Sequence, residues 1–122
     1  MGRGIAQIAA QAGSVVRLYD TQPAAVQKAI QELGAQWDRL LEKGRMDAAA
    51  VAAAKARLRP ALNLQDLADC GLVVEAIIER LDIKRALFAE LERIVAPDAV
   101  LATNTSSLSV TAIAAGLDRP QR

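Results

Sequence analysis

An α/β fold built on a parallel sheet is what this sequence predicts, and three observations predict it. Helical and extended segments alternate along the chain. The extended segments SVVRLYD, LVVEAI and VLAT are short and rich in β-branched residues. The segments between them repeat apolar residues at helical spacing, which suits helices packed on a parallel sheet.

Residues 2–13 are expected to form a short helix. Ile5, Ile8, Ala9 and Ala12 recur at helical spacing, and Gly13 stops the run. Residues 14–20 follow as a strand. Thr21 is expected to be the N-cap of a long helix over 23–43, with Pro23 in its first turn. That helix carries Val26, Ile30, Leu33, Trp37, Leu40 and Leu41 on one stripe, holds Gly34 in its interior and ends at Gly44. Asp47 caps an alanine-rich helix reaching Leu58, ahead of Pro60, so the two helices form a hairpin.

A weak element is expected at 61–64, and 72–77 is a strong strand candidate. Residues 82–95 read as a helix with Ile83, Leu87, Leu91 and Ile94 on one face, stopped by Pro97. Residues 100–103 form the next strand. Residues 110–115 form a short helix with Ser109 as N-cap and Gly116 as C-cap. A strand would ordinarily open this order of elements; here a helix comes first.

Composition removes several function classes. The chain of 122 residues is 52% apolar, enough for a core, although alanine supplies much of that count. Tyr19, Trp37 and Phe88 are its only aromatics, too few for a base-stacking platform. Fifteen basic and 14 acidic residues leave a net charge of +1, so neither nucleic acid nor an anionic membrane is expected as a partner. No apolar run has the roughly 18–20 residues that span a bilayer. The single cysteine, Cys70, suits a reducing cytoplasm. There is no histidine, which rules out a histidine base or ligand within these residues, and no metal site is expected.

Ligands of open α/β sheets bind beyond the carboxyl ends of the strands, and four features fall at such places. Gly2 and Gly4 open the first helix, where close backbone approach and free N–H groups suit a pyrophosphate; a flexible terminus accounts for them equally. Asp20 ends the strand that follows the first helix. There a carboxylate accepts from both ribose hydroxyls and repels a 2′-phosphate, favouring NAD over NADP; it also suits the dipole of the next helix. Glu75 lies in an apolar run and needs a partner if buried. Glu79 and Lys84 form either a pair lining a cleft or a solvated surface pair. The run Thr103–Asn104–Thr105–Ser106–Ser107 supplies one or two capping hydroxyls, and the rest suits a site holding an amide or a carbonyl oxygen. A serine nucleophile is disfavoured, because no histidine is present to activate it.

Taken together these segments resemble the L-3-hydroxyacyl-CoA dehydrogenase family, its bacterial 3-hydroxybutyryl- and 3-hydroxyadipyl-CoA members above all. MGRGIAQIAAQAG is similar to the second half of that family's Gly-x-Gly-x-Met-Gly-x-Gly-Ile-Ala segment. RLYD, VVEAIIERLDIKRALFAELE and ATNTSSLSV follow it in order and spacing. The resemblance covers essentially the whole chain. It implies a Rossmann-like parallel sheet with a helical hairpin insertion, NAD as cofactor and an acyl-CoA as substrate, the 3-hydroxyl being oxidised to a ketone.

By the same resemblance Gly2 and Gly4 lie in the glycine loop, Asp20 holds the adenosine ribose, and Ala76, Glu79 and Lys84 lie along the cofactor. Asn104 and Ser106 lie near nicotinamide and substrate, with Ser106 bonded to the reacting hydroxyl. Gln36 and Lys43 of the hairpin reach toward CoA, where Lys43 meets a phosphate as a point charge.

The resemblance also implies that residues 1–122 are one partial NAD-binding domain, cut at both ends. The first strand and two glycines would precede Met1, itself the internal methionine of the glycine loop. The base, a histidine in a His-Phe-Phe-Asn-Pro stretch, would follow Arg122, with its orienting glutamate and a helical dimerisation domain beyond. A central strand buries about five apolar side chains at roughly 1.5–3 kcal/mol each, on the order of 10 kcal/mol in all. A marginal fold with an unpaired edge at 14–20 is therefore expected, rescued by self-association or a complementing fragment. The chain alone is expected to be inactive. A non-catalytic protein that binds a nucleotide or a partner is the alternative; another hydroxyacid dehydrogenase is disfavoured by ATNTSSLSV.

Overall fold

The alternation expected from the sequence is present in the computed structural model, which describes residues 2–122. The reading of Met1 falls outside these. In order, the elements are α1 (Gly2–Gln11), β1 (Val16–Leu18), α2 (Pro23–Glu42), α3 (Ala48–Arg57), β2 (Leu58–Pro60), a 3-10 turn (Leu64–Leu67), β3 (Leu72–Glu75), α4 (Leu81–Ile94), β4 (Val100–Thr103) and α5 (Val110–Ala114). The strands pair in parallel as two ladders, β1 with β2 and β3 with β4. The chain divides into two compact units, one over 3–62 and one of Gly2 with 63–122.

In the first unit the helix ends are set by glycine. Gly13 and Gly44 adopt φ of 108° and 70°, a region that costs a residue with Cβ about 1–2 kcal/mol. Each closes its helix with the same paired bonds. Ser14 N–H donates to Ala9 and Gly13 N–H to Ala10; Arg45 N–H donates to Leu40 and Gly44 N–H to Leu41. Asp47 caps α3, accepting from Ala50 N–H at 2.7 Å. Ala6 and Ala10 of α1 are buried with Leu33 and Trp37 of α2, Val51 and Ala54 of α3, and Leu58. The small side chains of α1 and α3 leave room for the Trp37 indole, whose Nε1–H donates to Gln11 at 3.2 Å. Leu41, expected on the buried stripe, is exposed.

Three expectations in this unit are corrected. The strand over 14–20 is only Val16–Leu18. The N-cap of α2 is Gln22 and makes no side-chain cap bond; the Gln22 N–H instead donates to Asp20 at 2.8 Å, so the turn is held from Asp20 and Thr21 is bypassed. The weak element at 61–64 is displaced to β2, which continues directly from α3. Its Pro60 is accommodated on a two-stranded ladder, where one edge needs no N–H donor.

In the second unit β3 and β4 align Glu75 with Thr103. The strand expected to reach Ile77 stops at Glu75, because the Glu75 carboxylate takes the Ile77 N–H at 3.1 Å. Helix α4 buries Lys84, Phe88 and Leu91, followed by Val95, not the expected line through Ile83 and Leu87. The helix is rotated by about one residue, some 100°, which brings Lys84 inward. Ser109 caps α5 as expected, accepting from Ala112 N–H at 3.1 Å. Gly116 is not the C-cap: Ala115 holds that place in ordinary helical geometry. The terminal residues are tied to the end of α4, Glu92 accepting from Asp118 and Arg119 N–H, both at 2.9 Å.

Among the described residues no helix is long and apolar enough to cross a membrane.

Candidate functional site

The carboxyl ends of β3 and β4 carry one connected polar network. At its centre is Lys84, whose side chain is 0% exposed. An ammonium has three N–H bonds, and all three meet carboxylate oxygens: Glu75 Oε1 at 2.8 Å, Glu75 Oε2 at 2.9 Å and Glu79 Oε1 at 2.9 Å. Glu75 is itself buried, at 3% exposure. It accepts further from Thr103 Oγ1 and from the Ile77 N–H. Burial alone would push the Lys84 ammonium down, but the two carboxylates outweigh it and raise it above its ordinary 10.5.

Glu79 is the outward member, its side chain 40% exposed. Its Oε2 accepts from Thr105 Oγ1 at 2.7 Å and Ser107 Oγ at 2.9 Å. The hydrogen bonds from Lys84, Thr105 and Ser107, in that order, hold its carboxyl at about 2 against an ordinary 4.5. A depressed carboxylate stabilises the fold above its unfolded value and loses that contribution as pH falls through the folded one. The Glu79 carboxyl resonance is therefore expected to titrate near pH 2, with the network's support intact at pH 5 and weakening below pH 4.5. A midpoint near 4.5 in a carbon-detected NMR titration would contradict this network.

The loop after β4 divides its residues by parity. Thr103, Thr105 and Ser107 point their hydroxyls at the two glutamates. Thr103 and Thr105 also hold the loop backbone, accepting from Thr105 N–H and Leu108 N–H at 3.2 Å each. Asn104 and Ser106, between them, are exposed, and their side chains make no hydrogen bond among the described residues. Only the Asn104 backbone is used, its N–H donating to Glu75 O at 3.2 Å. The unit thus assembles Ala76, Glu79, Lys84, Asn104 and Ser106 around one strand end. The sequence marked Glu79, Lys84 and the polar run. It left Glu75 without a named partner, although a lone carboxylate in an apolar run followed nine residues later by lysine was the available signal.

In the first unit Gly4 lies in the opening turn of α1, and the neighbouring Arg3 pairs with Glu32 of α2. Asp20 is exposed just beyond β1. One of its oxygens is occupied by the Gln22 N–H, which leaves the other open. Gln36 lies in α2 and Lys43 is its C-cap residue, seven residues on and about 10 Å further along the helix axis. Neither lines the groove of about 370 Å3 in the hairpin, which is lined by Ile30, Gln31, Gly34 and Trp37 and by the Lys55–Asp38 ion pair of 2.6 Å.

Parallel strands alternating with helices, with polar side chains beyond the strand carboxyl ends, are the architecture of the Rossmann class of dinucleotide-binding proteins. Comparison with known proteins gives the family. The model of the 3-hydroxyacyl-CoA dehydrogenase, NAD binding domain matches residues 1–122, and the chain belongs to that family. It is 42% identical over 122 residues to 3-hydroxyadipyl-CoA dehydrogenase of Escherichia coli (strain K12), covering 100% of this chain and 26% of the relative. It is 38% identical to 3-hydroxybutyryl-CoA dehydrogenase of Bradyrhizobium diazoefficiens, covering 100% and 42%. A crystal structure of 3-hydroxybutyryl-CoA dehydrogenase from Escherichia coli K12 superposes with a TM-score of 0.96 at 42% identity, over 98% of this chain and 25% of that one. The chain thus spans between a quarter and two fifths of the length of these relatives. The cofactor of the family is NAD.

Proposed function

We propose that residues 1–122 form the NAD-binding part of an oxidoreductase that interconverts (S)-3-hydroxyacyl-CoA and 3-ketoacyl-CoA. The observation that carries this reading is the parity of the loop after β4. Its odd residues are spent on the scaffold, and Asn104 and Ser106 are left open to a ligand.

The residues present fit the cofactor. The open oxygen of Asp20 suits a ribose hydroxyl, and a carboxylate there disfavours a 2′-phosphate. Gly4 stands in open space in the N-terminal turn of α1 and Gly2 packs beside Ala76, which suits close approach of a pyrophosphate to the backbone there. Ala76 and Glu79 border the cofactor, and Lys84 supports it through Glu79; a direct contact from Lys84 would require one of its three bonds to be given up. Asn104 serves the nicotinamide amide, and Ser106 donates to or accepts from the substrate oxygen. Gln36 and Lys43 serve the CoA moiety. When bound, NAD supplies the acceptor for the hydride leaving the carbinol carbon.

In this reading the base that removes the hydroxyl proton is the histidine that the family resemblance implies, and residues 1–122 contain none. A reducing cytoplasm is the setting proposed.

The test is a titration of NADH into the 122-residue chain, followed by nicotinamide fluorescence, with acetoacetyl-CoA reduction assayed in parallel. Saturable binding without turnover is expected. Asp20→Ala should weaken it about tenfold, the worth of a charge-assisted hydrogen bond. No saturable binding, or equal binding by Asp20→Ala, would overturn the assignment; robust turnover by the chain alone would overturn only its expected inactivity.

A further inference from the structure

We propose that Glu75 is a positioning residue of the nucleotide site: it holds Lys84 inside the fold and so fixes Glu79, and through Glu79 the loop that presents Asn104 and Ser106. This rests on the reading of those three residues as ligand-facing.

The geometry separates a fixed carboxylate from a movable one. Glu75 sits on β3, its backbone oxygen bonded to Asn104 N–H at 3.2 Å and its side chain almost wholly enclosed. It grips Lys84 with both oxygens, at 2.8 and 2.9 Å, and also accepts from Thr103. Glu79 lies in the irregular segment between β3 and α4, half in solvent. Its carboxylate is located by side chains alone: Lys84, Thr105 and Ser107. The ammonium therefore transmits the position of the first carboxylate to the second.

Stability gives no reason of its own for a carboxylate at 75. A buried ion pair exchanged for apolar residues of the same volume is often neutral or better. A charge at 75 is needed if the ammonium is to be held at a set distance from Glu79.

The test compares Glu75→Gln, Glu79→Gln and the double variant in the full chain, with circular dichroism to show that each is folded. Glu75→Gln is expected to weaken NADH binding about tenfold. Since Glu75 acts through Glu79, the double variant should bind no more weakly than Glu79→Gln alone. Additive losses, about a hundredfold in the double variant, would indicate independent roles and overturn the proposal, as would unchanged binding by Glu75→Gln.

A second readout needs no ligand. In proton–nitrogen NMR the sheltered Lys84 ammonium signal should survive Glu79→Gln and vanish in Glu75→Gln. The Thr105 and Ser107 amide peaks should shift in both. Survival of the ammonium signal in Glu75→Gln would overturn the proposal. If the unaltered chain does not bind NADH, the proposed function fails while this second readout still decides the role of Glu75. Should Glu75→Gln not fold, Glu75→Asp, with the same charge on a shorter arm, is read by the same criteria.

Discussion

Trp37→Ala is expected to cost about 3–5 kcal/mol and to melt the first unit at temperatures where the unaltered chain is folded. Trp37 is 0% exposed and stands among the seven buried residues of the hairpin core. Four of its neighbours there, Ala6, Ala10, Val51 and Ala54, are small. They cannot extend into the space an indole vacates, so the void persists and its walls lose their contacts. Gln11 loses its partner as well. Ordinary domains have only about 5–15 kcal/mol in total. Trp37→Phe, which keeps a ring but not the donor, should fall between the two. Because Trp37 is the only tryptophan, far-UV circular dichroism in urea is the measurement, not fluorescence. An alanine variant with an unchanged urea midpoint would show that the hairpin is packed otherwise.

Lys84→Met should be as damaging to the second unit, for an electrostatic reason. Methionine matches the length of the stem, so little volume is lost. What is lost is the one cation between two carboxylates, of which Glu75 is buried. Removing one partner of a buried pair costs about 3–5 kcal/mol because the other charge is stranded. The companion variant Glu75→Gln/Lys84→Met strands no buried charge and is expected to recover much of the loss. Urea midpoints of the two variants decide it. Equal destabilisation would mean that stem packing, and not the charge, is what Lys84 contributes.

The elements legible in the sequence are those whose signals are local. The end of α1 followed from Gly13 and the hairpin from Gly44 and Asp47, each of which sets a helix end through its own backbone or side chain. The parallel arrangement followed from the order of elements, and the candidate loop from five consecutive polar residues. What was not legible depends on partners distant in sequence. β2 has three residues, one of them Pro60, and is a strand only because β1 lies beside it. The buried face of α4 was misplaced because lysine counts as polar in any periodicity. Lys84 is inside because Glu75 is there to receive it. The hydroxyls of Thr103, Thr105, Ser106 and Ser107 look alike in sequence. Their division into bound and open residues comes from the glutamates opposite them.

That division gives the segment two alphabets. At 103, 105 and 107 a residue is chosen for what it does to the loop, and a change there is paid in stability. At 104 and 106 no scaffold bond among the described residues depends on the side chain, so under the proposed function a residue there is open to choice by the ligand alone. A laboratory library randomised only at 104 and 106 should therefore return mostly folded proteins, and under the proposed function these should differ in what they recognise.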